Sequence, residues 1–128
     1  MAAGADDFHG SRVSGDARLD AITVDIIENL GRSDLTIDVV AERHHVTPRY
    51  VRMLFEKKGL TFSEFVLGER LARVHRALID PSFADLPISD IAFAAGFGDL
   101  SYFNRTFRRR YGATPTDVRE AARRQNRD

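Results

Sequence analysis

The chain has 128 residues, of which 43% are hydrophobic, and nineteen acidic side chains balance nineteen lysines and arginines. This length fits one domain or two very small ones, and the composition is that of an ordinary globular protein. The absence of cysteine excludes disulfides, thiolate zinc sites and thiol catalysis. We expect neither a signal peptide nor a membrane span, because there is no basic and apolar leader and no apolar run of about 20 residues.

Charge is distributed unevenly along the chain although the net charge is zero. Eight acidic residues and three arginines lie at or before Val40, whereas eight arginines and four acidic residues lie from Asp99 onward. Such a chain can present a basic surface while its charges sum to nothing.

The first half of the chain opens on a segment rich in Gly, Ala, Ser and Asp. We predict a disordered tail over residues 1–16, since this segment lacks apolar periodicity. Apolar residues then recur at helical spacing from about Leu19 until Gly31. A short second helix is predicted from its N-cap Thr36 to about His44.

The middle of the chain contains two further helix signals. Thr47 is a suitable N-cap for a third helix, which ends near Gly59. Thr61 and Glu64 form a capping-box pattern that opens a long linker helix running to Asp80.

The second half predicts three more helices. Pro87 opens one that Gly96 closes, Asp99 caps another that ends at Gly112, and Thr114 begins the last, which runs to about 124. No strand pattern occurs. The sequence therefore predicts an all-α fold of seven helices in two subdomains, 17–60 and 81–128, joined by a linker helix over 61–80.

An internal repeat relates helices two and three to helices five and six. "VVAERHHVTPRYVRMLF" aligns with "DIAFAAGFGDLSYFNRTF", with one residue inserted in the turn of the second copy. Each copy is a short helix, a tight turn and a helix with one apolar stripe, which is the helix-turn-helix pattern. Gly96 suits the positive φ that the turn requires, and His45 occupies the matching place in the first copy.

Aromatic and basic side chains alternate in the stretch "GFGDLSYFNRTFRRRYG". Phe103, Phe107 and Tyr111 recur every four residues, so they lie on one face of a helix and hold it to a core. Arginines and Asn104 remain on the outer faces, where they can reach base edges and phosphates in a major groove. A linker of about 28 Å, at 1.5 Å per residue, would hold two such helices close to the ~34 Å of one DNA turn. The two reading faces differ, so we expect one asymmetric site read by a monomer.

At these residues the chain resembles the DNA-binding domain of AraC/XylS-type transcription regulators over residues 17–124. "PISDIAFAAGFGDLSYFNRTFRRRYGATPTDVR" follows the family signature, and "VTPRYVRMLFEKKGLTFSEFVLGERLARVHRALIDP" covers the first motif and the linker helix. The resemblance implies a homeodomain-like fold of seven helices and a promoter-binding regulator, often an activator that touches RNA polymerase. It also implies base-reading side chains at eight positions, namely Arg49, Tyr50, Arg52, Met53, Leu100, Ser101, Asn104 and Arg105. We further predict phosphate contacts at Thr47, Lys57, Asp99, Arg108 and Arg109.

The chain departs from the family pattern at three places. Met53 and Leu100 are apolar where many relatives carry polar side chains, and an apolar group there could contact a thymine methyl. Gly68 lies inside the linker helix. Relatives usually carry a second domain for effector binding or dimerisation, so the chain is either an excised domain or a stand-alone regulator, and we do not expect an effector to bind the chain itself.

The sequence also leaves room for functions other than DNA binding. The alternative is a helical module that has lost DNA binding and acts through protein partners. His44 and His45 invite a metal interpretation, but no matching ligand spacing supports it, and we predict neither metal nor cofactor. We predict no enzymatic activity either, since no catalytic motif has its required context. The expected partners are double-stranded DNA and RNA polymerase, in the bacterial cytoplasm.

Overall fold

The structure, a computed structural model, describes the backbone of residues 11–127 and the side chains of residues 15–127. This part of the chain forms seven α-helices and no strand, which confirms the predicted all-α class. The helices are α1 (Ser11–Glu28), α2 (Ile37–Arg43), α3 (Pro48–Glu56), α4 (Phe62–Ile79), α5 (Ile88–Ala94), α6 (Leu100–Tyr111) and α7 (Pro115–Arg127). A 3-10 turn, Pro81–Phe83, follows α4. None of the described helices is long and apolar enough to cross a membrane.

The first predicted boundary differs from the structure. The predicted tail over 1–16 is wrong for residues 11–16, because α1 already begins at Ser11; residues 1–10 lie outside the described part. The start of α1 runs close to α3, since a Cβ built on Gly15 would lie 3.9 Å from Leu54 Cδ2. The two helices pack together, and tertiary packing of this kind stabilises helices that local composition disfavours.

The chain divides into two compact units, and the division differs from the predicted subdomains. The first unit comprises the chain up to Asn29 and Asp34–Val66; the second comprises Leu30–Ser33 and the chain from Leu67 onward. Leu30–Ser33 was predicted to belong to the first subdomain, and α4 was predicted to stand alone. Instead, α4 contributes its first five residues to the first unit and the remainder to the second.

Arg70 explains why Leu30–Ser33 belongs to the second unit. Its guanidinium donates from Nε to the Leu30 carbonyl (3.0 Å) and from Nη2 to the Arg32 carbonyl (3.2 Å). Burial lowers the pKa of Arg70, but a guanidinium stays protonated in proteins, so the anchor remains cationic. Gly96 allows the close approach, because a Cβ there would overlap the Leu30 carbonyl oxygen and the Arg70 guanidinium.

Predicted helix starts are confirmed by hydrogen bonds. The hydroxyl oxygen of Thr36 accepts from the Val39 amide at 3.2 Å. Thr61 and Glu64 form the reciprocal capping box, with the Thr61 amide donating to Glu64 Oε1 (2.8 Å) and the Glu64 amide donating to Thr61 Oγ1 (3.0 Å). Such local bonds satisfy amides that a helix start leaves without partners.

The carboxyl-terminal arginines do not all form a solvated basic surface. Arg119 Nη2 donates to the Phe83 carbonyl (3.2 Å), and Arg123 Nη2 donates to the Ala84 carbonyl (2.7 Å). Burial lowers the pKa of Arg119, which is nearly inaccessible to solvent. These two arginines therefore fasten α7 to the turn after α4 and account for part of the basic excess noted in the sequence.

Candidate nucleic-acid interface

The two predicted helix-turn-helix copies share the same turn, bond for bond. In the first copy the Val46 amide donates to the Ala41 carbonyl (3.0 Å), and in the second the Phe97 amide donates to the Ala92 carbonyl (3.1 Å). A second bond also recurs, from His45 to Glu42 (3.1 Å) and from Gly96 to Phe93 (3.0 Å). These are the two bonds of a Schellman turn, which needs a left-handed residue after the helix.

That left-handed residue is the predicted one in both copies. His45 has a φ of 57° and Gly96 a φ of 108°. His45 is the only described non-glycine residue with positive φ. The alignment of the two copies is thus confirmed at the level of backbone hydrogen bonds, and each turn is followed by one candidate recognition helix.

In the first unit, α3 is held by one apolar face. Val51, Leu54 and Phe55 are buried, as predicted from their spacing. The Phe55 ring also contacts the rings of Phe62 (6.0 Å between centroids) and Phe65 (5.3 Å) at the start of α4. This packing fixes the rotation of α3 about its axis, and therefore decides which side chains face away from the core.

Three predicted base readers of α3 share the exposed face opposite this core. Arg49, Arg52 and Met53 are exposed, and the latter two follow Arg49 by three and four residues, so they form one stripe. Tyr50, the fourth, lies half-buried beside that stripe. Of the predicted phosphate contacts, Thr47 and Lys57 flank the helix at its two ends and are exposed.

The start of α3 is fixed by Thr47. Its hydroxyl oxygen accepts from the Tyr50 amide at 3.1 Å. The hydroxyl hydrogen remains able to donate to a phosphate oxygen. The N-terminus of α3 also carries the positive end of the helix dipole, which favours an anion at this position.

His44 has a structural partner. Its Nε2 lies 2.9 Å from Asp25 Oδ2, and Arg43 binds the same carboxylate through Nε (3.1 Å) and Nη2 (3.0 Å). Asn29 donates to Asp25 Oδ1 as well (2.8 Å). The cluster joins α1 to the end of α2 and thereby supports the turn before α3. Within the described residues, no group of three potential ligands could hold a metal ion.

In the second unit, α6 is held by a chain of aromatic rings. Phe103 and Phe107 are buried, and successive centroids are 5.0 Å apart for Phe97 and Phe103, 5.7 Å for Phe103 and Phe107, and 4.7 Å for Phe107 and Tyr111. His75 of α4 stacks against Tyr111 with 4.5 Å between ring centroids. The predicted aromatic stripe is therefore the core face of α6.

The opposite face of α6 is polar and basic. Five predicted contact residues are exposed there at helical spacing: Ser101, Asn104, Arg105, Arg108 and Arg109. Asparagine and arginine can form bidentate hydrogen bonds with adenine and guanine edges. Arginines can also contact phosphate oxygens, which carry no sequence information.

Two predicted contacts of the second unit are not brought into this stripe. Leu100 is half-buried and packs against the core cluster, on the same side as Phe103 and Phe107. The Asp99 carboxylate caps α6 by accepting from the amides of Ser101 (2.9 Å) and Tyr102 (3.2 Å). Its negative charge opposes contact with phosphate, so the geometry assigns it to helix capping.

Two residues beside the recognition helices were missed. Tyr102 is 43% exposed on α6, and the repeat itself could have found it because it matches Tyr50. Arg18 of α1 places its guanidinium carbon 5.9 Å from the centroid of the Tyr50 ring. No local signal in the sequence indicated that contact, since it joins residues 32 positions apart.

Two helix-turn-helix units, each with a core-anchored helix and an exposed polar stripe, define a DNA-binding domain of the transcription-regulator class. A family model described as "Helix-turn-helix domain" matches residues 40–121. The chain belongs to the AraC/XylS family of transcription regulators. The resemblance seen in the sequence is thereby confirmed.

Individual relatives agree with this assignment. The "Transcriptional activator RhrA" of Rhizobium meliloti is 44% identical over 105 residues, which cover 82% of this chain and 33% of RhrA. The C-terminal domain of AraT, a response regulator from Geobacillus stearothermophilus, superposes with a TM-score of 0.73 at 27% identity, covering 81% of this chain and 84% of that domain. An AraC-type regulator from Chromobacterium violaceum shares the fold, with a TM-score of 0.76 at 24% identity over 86% of this chain and 96% of its own.

Proposed function

We propose that the chain binds one asymmetric site in double-stranded DNA, with α3 reading one block of bases and α6 reading another. The observation that supports this proposal most directly is the repeated turn. In each unit the helix after the turn presents an exposed polar stripe on the side away from its core. Because the stripes differ in sequence, we expect the two blocks to differ as well. The base readers we propose are Arg49, Tyr50, Arg52, Met53, Ser101, Asn104 and Arg105. Leu100 packs against the core cluster but is only half-buried, and we propose that its exposed part contacts a thymine methyl.

The phosphate contacts we propose lie at the ends of the two stripes. Thr47 and Lys57 flank α3, and Arg108 and Arg109 lie on the last turns of α6. These contacts set affinity on any sequence, whereas the base readers set preference among sequences. Asp99 contributes indirectly, by fixing the first turn of α6.

We further propose that the DNA site lies at a bacterial promoter and that RNA polymerase is the second partner. RhrA is named a transcriptional activator, which supports activation over repression. The chain spans about a third of the length of RhrA, and we expect an effector to bind elsewhere than on this chain. Action on a promoter places the protein in the cytoplasm, on the nucleoid.

Equilibrium binding to a labelled duplex at several salt concentrations tests this function. Each neutralised phosphate contributes about −0.9 to the slope of log K against log salt. We therefore expect a slope of about −2.7 from the three cationic contacts, Lys57, Arg108 and Arg109, and tighter binding to a selected site than to random duplex. A helical module that acts only through proteins would show no salt-dependent binding to duplex DNA, and that result would overturn the proposal. Arg109→Ala should weaken binding to both duplexes alike.

A further inference from the structure

A pocket of about 270 Å³ opens between α1 and the turn of the first helix-turn-helix. From α1 it is lined by Arg18, Ala21 and Ile22. From the end of α2 and the turn it is lined by His44, His45 and Val46. All of these residues lie in the first unit. None of them belongs to the reading stripe of α3, so the pocket is a separate feature beside that stripe.

The residues that line the pocket include one guanidinium, two imidazoles and no carboxylate. The Asp25 carboxylate, which binds His44, also accepts from Arg43 and Asn29. Neither the Arg18 guanidinium nor the His45 imidazole has a hydrogen-bond or ion-pair partner among residues 15–127. A pocket lined by two such donors is suited to an anion with several acceptor oxygens.

The position of the pocket beside α3 indicates which molecule supplies the anion. Arg18 lies over the ring of Tyr50, which is in the first turn of α3. His45 follows His44, the C-cap of α2, and lies two residues before Thr47, the N-cap of α3. The N-terminal end of a recognition helix is the end that contacts base edges, so groups beside it come close to the flanking DNA backbone.

We propose that this pocket binds a backbone phosphate of the DNA next to the block read by α3, with Arg18 and His45 as its donors. This inference rests on the proposed function, and it makes α1 part of the DNA-binding surface. The ligand chemistry is a phosphate oxyanion, and the DNA phosphodiester is the source to which the geometry points. Arg18 then has two contacts, one with the phosphate and one with the face of Tyr50.

The test uses the full chain and a duplex selected by the wild-type protein. Arg18→Ala should lower the magnitude of the salt slope by about one and weaken binding roughly tenfold on selected and random duplex alike. Arg18→Lys should retain the slope. Arg76→Ala removes the same charge from an exposed position on α4 that we do not assign to DNA, and it should leave the slope unchanged.

His45→Gly tests the imidazole without disturbing the turn that carries it. Glycine occupies the equivalent position of the second copy with positive φ, so the turn should remain intact. We expect weaker binding on both duplexes, with thermal stability no lower than that of the wild type because glycine relieves the left-handed strain at this position. Unaltered binding by this variant would remove His45 from the site.

A positioning role for Arg18 predicts a different outcome. If Arg18 acts only by holding Tyr50, then Arg18→Ala would change the selected sequence without changing the salt slope, and in a Tyr50→Ala background it would have no effect. Either result would overturn the phosphate site. We expect the slope change to persist in the Tyr50→Ala background.

Titration with inorganic phosphate distinguishes the source of the anion. In one outcome, inorganic phosphate shifts the NMR signal of the His45 imidazole saturably, and Arg18→Ala abolishes this shift without changing the DNA salt slope. That result would show a site for a free anion and overturn the DNA assignment. If the wild-type chain shows salt-dependent DNA binding and Arg18→Ala does not alter it, only this inference fails. If the wild-type chain binds no DNA, the proposed function fails as well.

Discussion

Crowding distinguishes two left-handed glycines of the second unit, Gly96 and Gly112. Their φ values are 108° and 71°. A Cβ at Gly96 would meet the Leu30 carbonyl and the Arg70 guanidinium, whereas a Cβ at Gly112 would meet nothing within 4 Å. The two positions therefore separate the cost of backbone conformation from the cost of close approach.

Substitution by alanine measures both costs. Gly112→Ala should lower the free energy of unfolding by about 1–2 kcal/mol, because it carries only the left-handed penalty. Gly96→Ala should lower the free energy of unfolding by a further ~1–3 kcal/mol, since Arg70 and the segment Leu30–Ser33 must shift to make room. Urea unfolding of both variants gives the comparison, and equal losses would contradict the anchoring role of Arg70.

Arg52 tests base reading at a single position. The side chain is exposed on the stripe that α3 presents. Arg52→Ala should weaken binding to the selected site by roughly 1–3 kcal/mol and relax the preference at one base pair. Binding measured on the selected site and on variants of it supplies both quantities. An equal loss on specific and random duplex would reassign Arg52 to a phosphate.

At the scale of single elements, α6 depends on its cap. Asp99→Ala removes the acceptor for the amides of Ser101 and Tyr102, and we expect a loss of stability of about 0.5–2 kcal/mol. Asp99→Asn keeps a capping oxygen and removes the negative charge, so it should retain stability and bind DNA at least as tightly as the wild type. Thermal unfolding and duplex titration check this pair, and weaker DNA binding by the folded Asn variant would restore the original prediction of a phosphate contact.

The aromatic face of α6 is tested by Phe107. Its side chain is fully buried, whereas Tyr102 on the same helix is 43% exposed. Phe107→Ala should destabilise the second unit by about 3–5 kcal/mol. Tyr102→Ala should have a much smaller effect on urea unfolding. Comparable losses for the two variants would show that the aromatic chain is not the core of this unit.

The features that the sequence predicted well are local. Thr36, Thr47 and Asp99 each cap a helix through an amide two or three residues away, so residue type and spacing were sufficient to place them. The repeat also placed His45 and Gly96 correctly, because a shared turn imposes the same backbone conformation twice.

The features that the sequence did not predict depend on distant parts of the chain. Arg70 reaches a carbonyl 40 residues away, and Arg119 reaches one 36 residues away. Gly15, in the part of α1 that precedes the predicted start, lies close to Leu54 of α3. Long-range packing decided these three cases.

At the scale of the whole molecule, zero net charge is compatible with DNA binding because acidic and basic side chains are used differently. Several of the acids serve internal structure, as Asp25 and Asp99 show. The arginines of α6 remain exposed on its outer stripe. A chain with no net charge can therefore carry two exposed basic stripes, and we expect its DNA affinity to fall with salt.

Selection of binding sites from a random duplex library, with the full chain, tests the central claim most directly. We predict a single asymmetric site with two unlike blocks about one helical turn, roughly 10 base pairs, apart. Arg52→Ala should degrade one block and Asn104→Ala the other, which assigns each block to its helix. A palindromic site, one block only, or no enrichment over the starting library would contradict tandem reading by α3 and α6.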